Sequence, residues 1–316
     1  MTRTPIDLGS FWLPRQSSTL APEVDAGFHA VYWVSVGFFV LVVGAMAYFA
    51  VRYRRRREGE KTSEVDHSTA LEIVWTTIPG LMLLFLFALG LKGYASAAVA
   101  PAESLEIQVT AEKWLWTFTY PNGTTTVNEL GVPKDRPVRL VMSSKDIIHS
   151  FFVPEFRIKQ DLVPGAYTTT WFQATEVKDV AVLCAEYCGT GHSDMMARIL
   201  VMDEPVYKDW LDKGGGADDL PPAELGKKLF TQRSCATCHS LDGSRIQGPS
   251  LKGLFGRTED LEGGTSVKVD ENYFRESVLN PGAKVVRGYP AAMPTFQGLL
   301  KDRDIEALIA YLKSVN

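Results

Sequence analysis

The chain has 316 residues, room for two or three domains, with a formal net charge of -4 and 46% hydrophobic residues. At that mild charge nothing suggests a nucleic-acid partner. The apolar residues are unevenly spread and concentrate near the N-terminus.

From Ala26 to Val51 there is no charged residue, and Ile73 to Leu91 is a second charge-free run. A helix of the first length is roughly 39 Å long at about 1.5 Å per residue, more than the ~30 Å of a bilayer's hydrocarbon. Buried globular helices rarely run so far without a charge, so the pattern predicts membrane spans over about 26–51 and 73–94. A signal peptide does not fit the first run. Asp7, Glu23 and Asp25 offset Arg3 and Arg15 ahead of it, and the run exceeds a signal's apolar stretch. The cations follow it instead, at Arg52 and Arg54 through Arg57, which places the connecting loop in the cytoplasm and everything after about Tyr94 outside. Residues 1–100 are thus an N-terminal tail and a transmembrane helical hairpin.

Over 101–205 the period changes. Leu105 to Val109 and Val138 to Val141 alternate, and Tyr167 to Phe172 does so less strictly. Turn chemistry stands at Pro121-Asn122-Gly123 and Val163-Pro164-Gly165. An all-β sandwich or barrel is expected here. Residues 206–222, with Gly214-Gly215-Gly216 and Pro221-Pro222, read as a linker that is flexible, then stiff. From 223 to 316 the pattern is helical, with Ile305, Leu308, Ile309 and Leu312 at i, i+3, i+4, i+7.

The chain has four cysteines, and they fall in two compact groups. Cys235-Ala236-Thr237-Cys238-His239 is a C-x-x-C-H: two thiols at this spacing form thioethers with the vinyl groups of one haem, and the adjacent His reaches the iron. Met293, the one methionine after Met202, sits before Pro294 in a turn context suited to the distal position. Met/His ligation suits electron transfer rather than oxygen binding. The segment from about Ala223 to Asn316 closely resembles a class I cytochrome c. The resemblance implies that Gly226 and Phe230 on the first helix cross Tyr311 and Leu312 on the last. It also implies that the carbonyl of Pro249, in Gly248-Pro249, orients His239.

The second group is Cys184-Ala-Glu186-Tyr-Cys188-Gly-Thr-Gly-His192-Ser-Asp-Met195, with His149 upstream at the end of a strand. Two thiolates, two imidazoles and a thioether form a soft donor set that selects copper. A Cys2His2 zinc site would leave Met195 unexplained. A Cys184–Cys188 disulfide is the alternative in an oxidising compartment. A mononuclear blue-copper site needs one cysteine, and the second thiolate invites a second metal ion.

C-x-E-x-C-x3-H-x2-M with an upstream His resembles the binuclear copper motif of cytochrome c oxidase subunit II. Ser143-Ser144-Lys145-Asp146 leading to His149-Ser150-Phe151, and Lys159 to Gly165, also look like that family. The resemblance spans about Ala26 to Glu204, and the tail points to the subset with a fused cytochrome c. It implies a cupredoxin-like barrel in which Cys184 and Cys188 bridge two copper ions. His149 and Met195 complete one copper; His192 and the Glu186 carbonyl complete the other. Met196 competes with Met195, and the motif spacing favours Met195. The Glu186 side chain would hold a magnesium ion shared with subunit I. Trp114-Leu115-Trp116 resembles the family's aromatic cluster beside the copper, and Trp114 would be the electron-entry residue. Aromatics in strands ordinarily pack a core, which is the other reading of Trp116 and Tyr120. Glu72, three residues before Trp75, would lie near the mouth of a proton channel.

The resemblance further implies a component of a proton-translocating cytochrome c oxidase in the bacterial inner membrane. Its copper and haem domains would be periplasmic, and its partners oxidase subunit I and the other oxidase subunits. Electrons would come from a cytochrome c or a quinol-oxidising complex, pass through the chain's own haem c and copper, and reach oxygen on subunit I. A flexible linker would keep the haem at high effective concentration near the copper. The alternative is a nitric oxide reductase carrying the same copper site. The two spans argue against a soluble nitrous oxide reductase, and C-x-x-C-H argues against a copper storage protein.

Overall fold

The computed structural model describes residues 9–61, 64–215 and 220–315. Leu20–Val99 forms one compact unit; residues 9–19 and the described residues from Ala100 onward form another. Residues 9–19, expected to group with the hairpin, belong instead to the second unit. Its backbone finds partners on a sheet edge, with Ser18 bridged to Ala174 and the Thr19 N–H donating to the Gln173 carbonyl at 3.0 Å.

The first unit is two helices, α1 (Ala21–Arg52) and α2 (Thr69–Ala98), each longer than its charge-free run. Both are long and apolar enough to cross a membrane. Phe39, Leu41, Leu84 and Phe87 are exposed along them, a surface suited to lipid rather than water. Glu72 sits in the first turn of α2.

The second unit begins with ten strands. They are β1 (Leu105–Glu112), β2 (Leu115–Thr119), β3 (Thr125–Val127), β4 (Glu129–Pro133), β5 (Pro137–Ser144), β6 (His149–Val153), β7 (Ile158–Leu162), β8 (Thr168–Gln173), β9 (Asp179–Cys184) and β10 (Met196–Met202). They form two five-stranded sheets, ordered β3-β2-β1-β5-β8 and β4-β10-β9-β6-β7. Within these sheets β1/β5 and β4/β10 run parallel. Alternation sends Leu105, Ile107, Val109 and Ala111 of β1 inward. Trp116, Phe118, Phe151 and Phe172 fill the barrel, fully buried, and truncating such an aromatic costs about 3–5 kcal/mol. Tyr120 is also buried, its hydroxyl donating to the Gly131 carbonyl at 2.9 Å.

Residues 206–222 are not wholly a linker. A helix, α3 (Glu204–Asp212), occupies their first part. Tyr207, Trp210 and Leu211 recur at i, i+3, i+4, so the segment has an apolar stripe to bury. Tyr207 is buried, and the Trp210 ring meets Tyr120 edge-on at 5.7 Å. Gly214 and Gly215 then close the helix, donating to the carbonyls of Leu211 and Trp210. Gly216 to Asp219 of the predicted linker lie outside the described residues.

The C-terminal part holds α4 (Pro222–Gln232), α5 (Cys235–Cys238), a short hairpin of β11 (Thr258–Asp260) and β12 (Ser266–Lys268), α6 (Glu271–Leu279) and α7 (Asp302–Ser314). The hairpin is an addition to the all-helical expectation. Leu225, Leu229 and Phe230 of α4 share a core with Ile305, Leu308 and Leu312 of α7. The helices cross at Gly226, where a Cβ would lie 1.9 Å from the Ala307 carbonyl oxygen. Beside this crossing the Phe230 and Tyr311 rings lie 5.7 Å apart.

Candidate functional site

Strands β6 and β9 are antiparallel neighbours with Phe151 opposite Cys184, and the Ala185 N–H continues the ladder to the Ser150 carbonyl at 3.0 Å. The start of β6 and the end of β9 therefore meet at one rim, which sets His149 beside Cys184. The loop after β9 curls back over the same point. The two sulfurs are 3.8 Å apart, and the His149 Nδ1 is 3.9 Å from the Cys184 Sγ. The Cys188 Sγ lies 3.5 Å from the His192 Nδ1 and 3.7 Å from the Met195 Sδ. The Glu186 carbonyl is 3.3 Å from the Cys184 Sγ. His149, Cys188 and Met195 are buried. The fold thus gathers all six predicted donors around one point.

Both cysteines are free thiols, and 3.8 Å is far beyond the ~2.05 Å of a disulfide. The hydrogen bond between them splits their acidity: Cys188 holds the Cys184 sulfur well below the usual thiol range, while Cys188 itself is raised. The pair therefore gives up the Cys184 proton more readily than the Cys188 proton, and an incoming cation displaces the protons that remain. Burial pulls the His149 pKa down, but bonds to Cys184 and Asp146 outweigh it and hold His149 above its ordinary value. Two sulfurs that can bridge, two imidazoles and a buried thioether fit a copper pair, and zinc would leave the Met195 contact without purpose.

Asp146 orients this site, a role the sequence reading did not assign. One carboxylate oxygen takes the His149 Nε2 at 2.8 Å, and the other accepts the Lys113 N–H at 2.8 Å. Its place three residues before His149 at a strand end is the signal that marks it. Trp114 follows Lys113. Its indole N–H donates to the Cys188 carbonyl at 3.1 Å. Its ring lies against Gly191, where a Cβ would come within 2.5 Å of it. The Glu186 carboxylate turns outward, 46% exposed and 3.6 Å from the Lys159 ammonium.

The helical part encloses a cavity whose wall includes Cys235, Cys238, His239 and Met293. Trp114 and Leu115, from the barrel, complete the same wall. The His239 Nδ1–H donates to the Pro249 carbonyl at 2.8 Å, which leaves Nε2 free to coordinate. Burial lowers the His239 pKa, so the ring is a neutral donor, and burial pushes the Cys235 thiol up to about 12. Among the described residues, Arg233 and Arg257 line this cavity with buried guanidinium N–H groups that have no partner. An apolar slot with two thiols, one oriented imidazole, a thioether and spare donors fits a haem with peripheral carboxylates. Arg233 lies two residues before Cys235, a visible position; no spacing marks Arg257.

Three family models match the chain. They are the transmembrane domain of cytochrome c oxidase subunit II over residues 5–92, its periplasmic domain over 124–202, and cytochrome c over 223–316. The chain is similar to cytochrome c oxidase subunit 2 of Thermostichus vulcanus, 31% identical over 65% of this chain and 81% of that one. It is similar to the subunit 2 of Alkalihalophilus pseudofirmus, 30% identical over 87% and 82%. An alternative cytochrome c oxidase subunit 2 of Bradyrhizobium diazoefficiens is 28% identical over 60% and 79%. Among solved structures, the periplasmic domain of subunit II of the Bradyrhizobium japonicum oxidase is 27% identical. That match covers 37% of this chain and 96% of that one, with a TM-score of 0.35.

Proposed function

Because the chain belongs to the cytochrome c oxidase subunit II family and continues into a cytochrome c domain, we propose that it is the electron-entry subunit of a respiratory terminal oxidase. It is a component of a haem-copper oxidase, an oxidoreductase complex, and a two-pass membrane protein with a periplasmic domain. It works with the other oxidase subunits. In the finer reading, the cytochrome domain takes electrons from a cytochrome c or a quinol-oxidising complex. The copper-site domain hands them to subunit I, where oxygen is reduced to water. The membrane is the bacterial inner membrane, with the arginine-rich loop from Arg52 to Arg57 in the cytoplasm.

Bound in these sites, a haem and a bridged copper pair supply one-electron redox couples. Cys235, Cys238, His239 and Met293 would hold the haem. Cys184, Cys188, His149, His192, Met195 and the Glu186 carbonyl would hold the copper ions. The Glu186 side chain faces outward, as a magnesium ligand shared with subunit I would. Trp114 is the contact between the two sites. Glu72, at the membrane boundary, takes the role of an acid at a proton-channel mouth.

One observation carries this reading: Trp114 bonds the Cys188 carbonyl while lining the cavity that holds the C-x-x-C-H residues. The test is metal and haem analysis of the intact complex, with oxygen and nitric oxide uptake compared. Two copper ions per C-x-x-C-H haem, beyond the copper of the oxygen-reducing centre on the partner, and oxygen consumption are expected. One copper beyond that centre's, or zinc in its place, overturns the bridged site. The matched relatives are oxidase subunits, which lends the nitric oxide alternative no support.

A further inference from the structure

Asn128 stands between β3 and β4 with φ at 56°, a left-handed conformation that Asn tolerates better than most residues. It is fully buried. Its side-chain oxygen accepts the Trp116 N–H at 2.8 Å, and its backbone N–H returns to the Trp116 carbonyl at 2.8 Å. The carboxamide nitrogen does not stay within the barrel. It donates to the Gln232 carbonyl at 2.6 Å and to the Ser234 Oγ at 2.8 Å.

Those acceptors are 104 and 106 residues away, in the helical domain. Gln232 ends α4, where carbonyls lose their intrahelical partners and need outside donors. Ser234, itself left-handed at φ 57°, immediately precedes Cys235. The apolar contacts agree: Leu115 and Val127 of the barrel belong to the same buried cluster as Leu225, Leu229 and Phe230 of α4. A tethered domain that visits the barrel transiently would not leave a buried amide dependent on it.

We propose that Asn128 is a positioning residue, a clasp that locks the haem-attachment end of α4 onto β2, which carries Trp116 and follows the turn that holds Trp114. The cytochrome domain is then a fixed wall of the electron path rather than a partner held near by its linker. This rests on the electron-entry reading for its consequence, and on geometry alone for the clasp itself.

The test is N128D in the full oxidase complex. Aspartate keeps the size, tolerates the left-handed backbone and still accepts the Trp116 N–H, so the barrel keeps its internal bond. Where its carboxyl is ionised it has no donor for Gln232 and turns a carboxylate toward that carbonyl. Burial favours the protonated form, which can donate, so the measurements are made at about pH 9 with about pH 6 as the control. The Ser234 hydroxyl can rotate to donate, so the variant isolates the Gln232 contact, and S234A tests the other half. Amide hydrogen exchange is expected to rise about tenfold together in segments 115–128 and 229–236, with the rest of the barrel unchanged. Electron transfer from haem to copper after flash reduction is expected to slow by about tenfold, with both absorption spectra and both potentials unaltered. Parental exchange in those segments overturns the clasp. So does parental transfer in N128D with both centres loaded. A parent complex with no such transfer sinks the electron path instead, and the exchange measurement then decides the clasp on its own.

Discussion

The indole N–H of Trp114 donates to the backbone carbonyl of Cys188 at 3.1 Å, so a residue on the haem-cavity wall is bonded to a residue of the copper loop. Two substitutions probe that contact. W114F keeps an aromatic face and removes the donor, leaving a buried carbonyl unpaired at a cost of about 1–3 kcal/mol. G191A places a methyl 2.5 Å from the indole, so ring or loop must shift, costing about 1–3 kcal/mol by overpacking. Both should slow haem-to-copper transfer while copper still loads. Flash-reduction kinetics beside denaturant unfolding separates the two effects, and unchanged kinetics in both variants would deny Trp114 its role.

Cys188→Ser should lower bound copper from two ions to at most one and leave the haem spectrum intact, because the sites use separate cysteines. Elemental analysis of the purified complex checks it. Retention of the parent complex's full copper content would show that the sulfurs do not bridge.

Copper loading should weaken as pH falls. Hydrogen bonds to Cys184 and Asp146 raise the His149 pKa over the opposing effect of burial, and Cys184 raises that of Cys188. A raised pKa means that the apo site keeps its proton to higher pH, and copper must displace it. Apparent affinity should therefore rise with pH by about tenfold per unit for each proton displaced, so long as that group is still protonated. Competition titrations of the copper-free chain at about pH 6 and about pH 8 measure this; a flat profile contradicts it.

Met293→His should keep the haem six-coordinate and lower its potential, since a thioether opposite His raises it, by a shift on the order of 0.1 V. A redox titration followed in the haem bands reads the change. An unmoved potential would mean that Met293 is packing alone.

Phe230→Ala removes a buried ring from the crossing of α4 and α7 and should destabilise the cytochrome domain by about 3–5 kcal/mol. Thermal unfolding followed by haem absorption checks this, with the copper spectrum as an internal reference.

The parts of this protein that are written locally were legible without a structure. Two charge-free runs announce the helices α1 and α2, alternation announces strands such as β1, and C-x-x-C-H announces a haem because thiols and imidazole must stand at fixed spacing. The copper loop was legible for the same reason, since Cys184 through Met195 supply most of its donors within twelve consecutive residues. α3 was readable in principle from Tyr207, Trp210 and Leu211, but the glycines that end it masked the stripe. What tertiary structure alone decided is everything set by contact between distant segments. The register of β6 on β9 brings His149 to Cys184, and Asp146 joins His149 to the Trp114 loop. Asn128 reaches Gln232 across 104 residues. A buried amide has no period and no spacing rule. Its partner is fixed by where the folded chain leaves a donor and an acceptor out of water, and that is known only after packing.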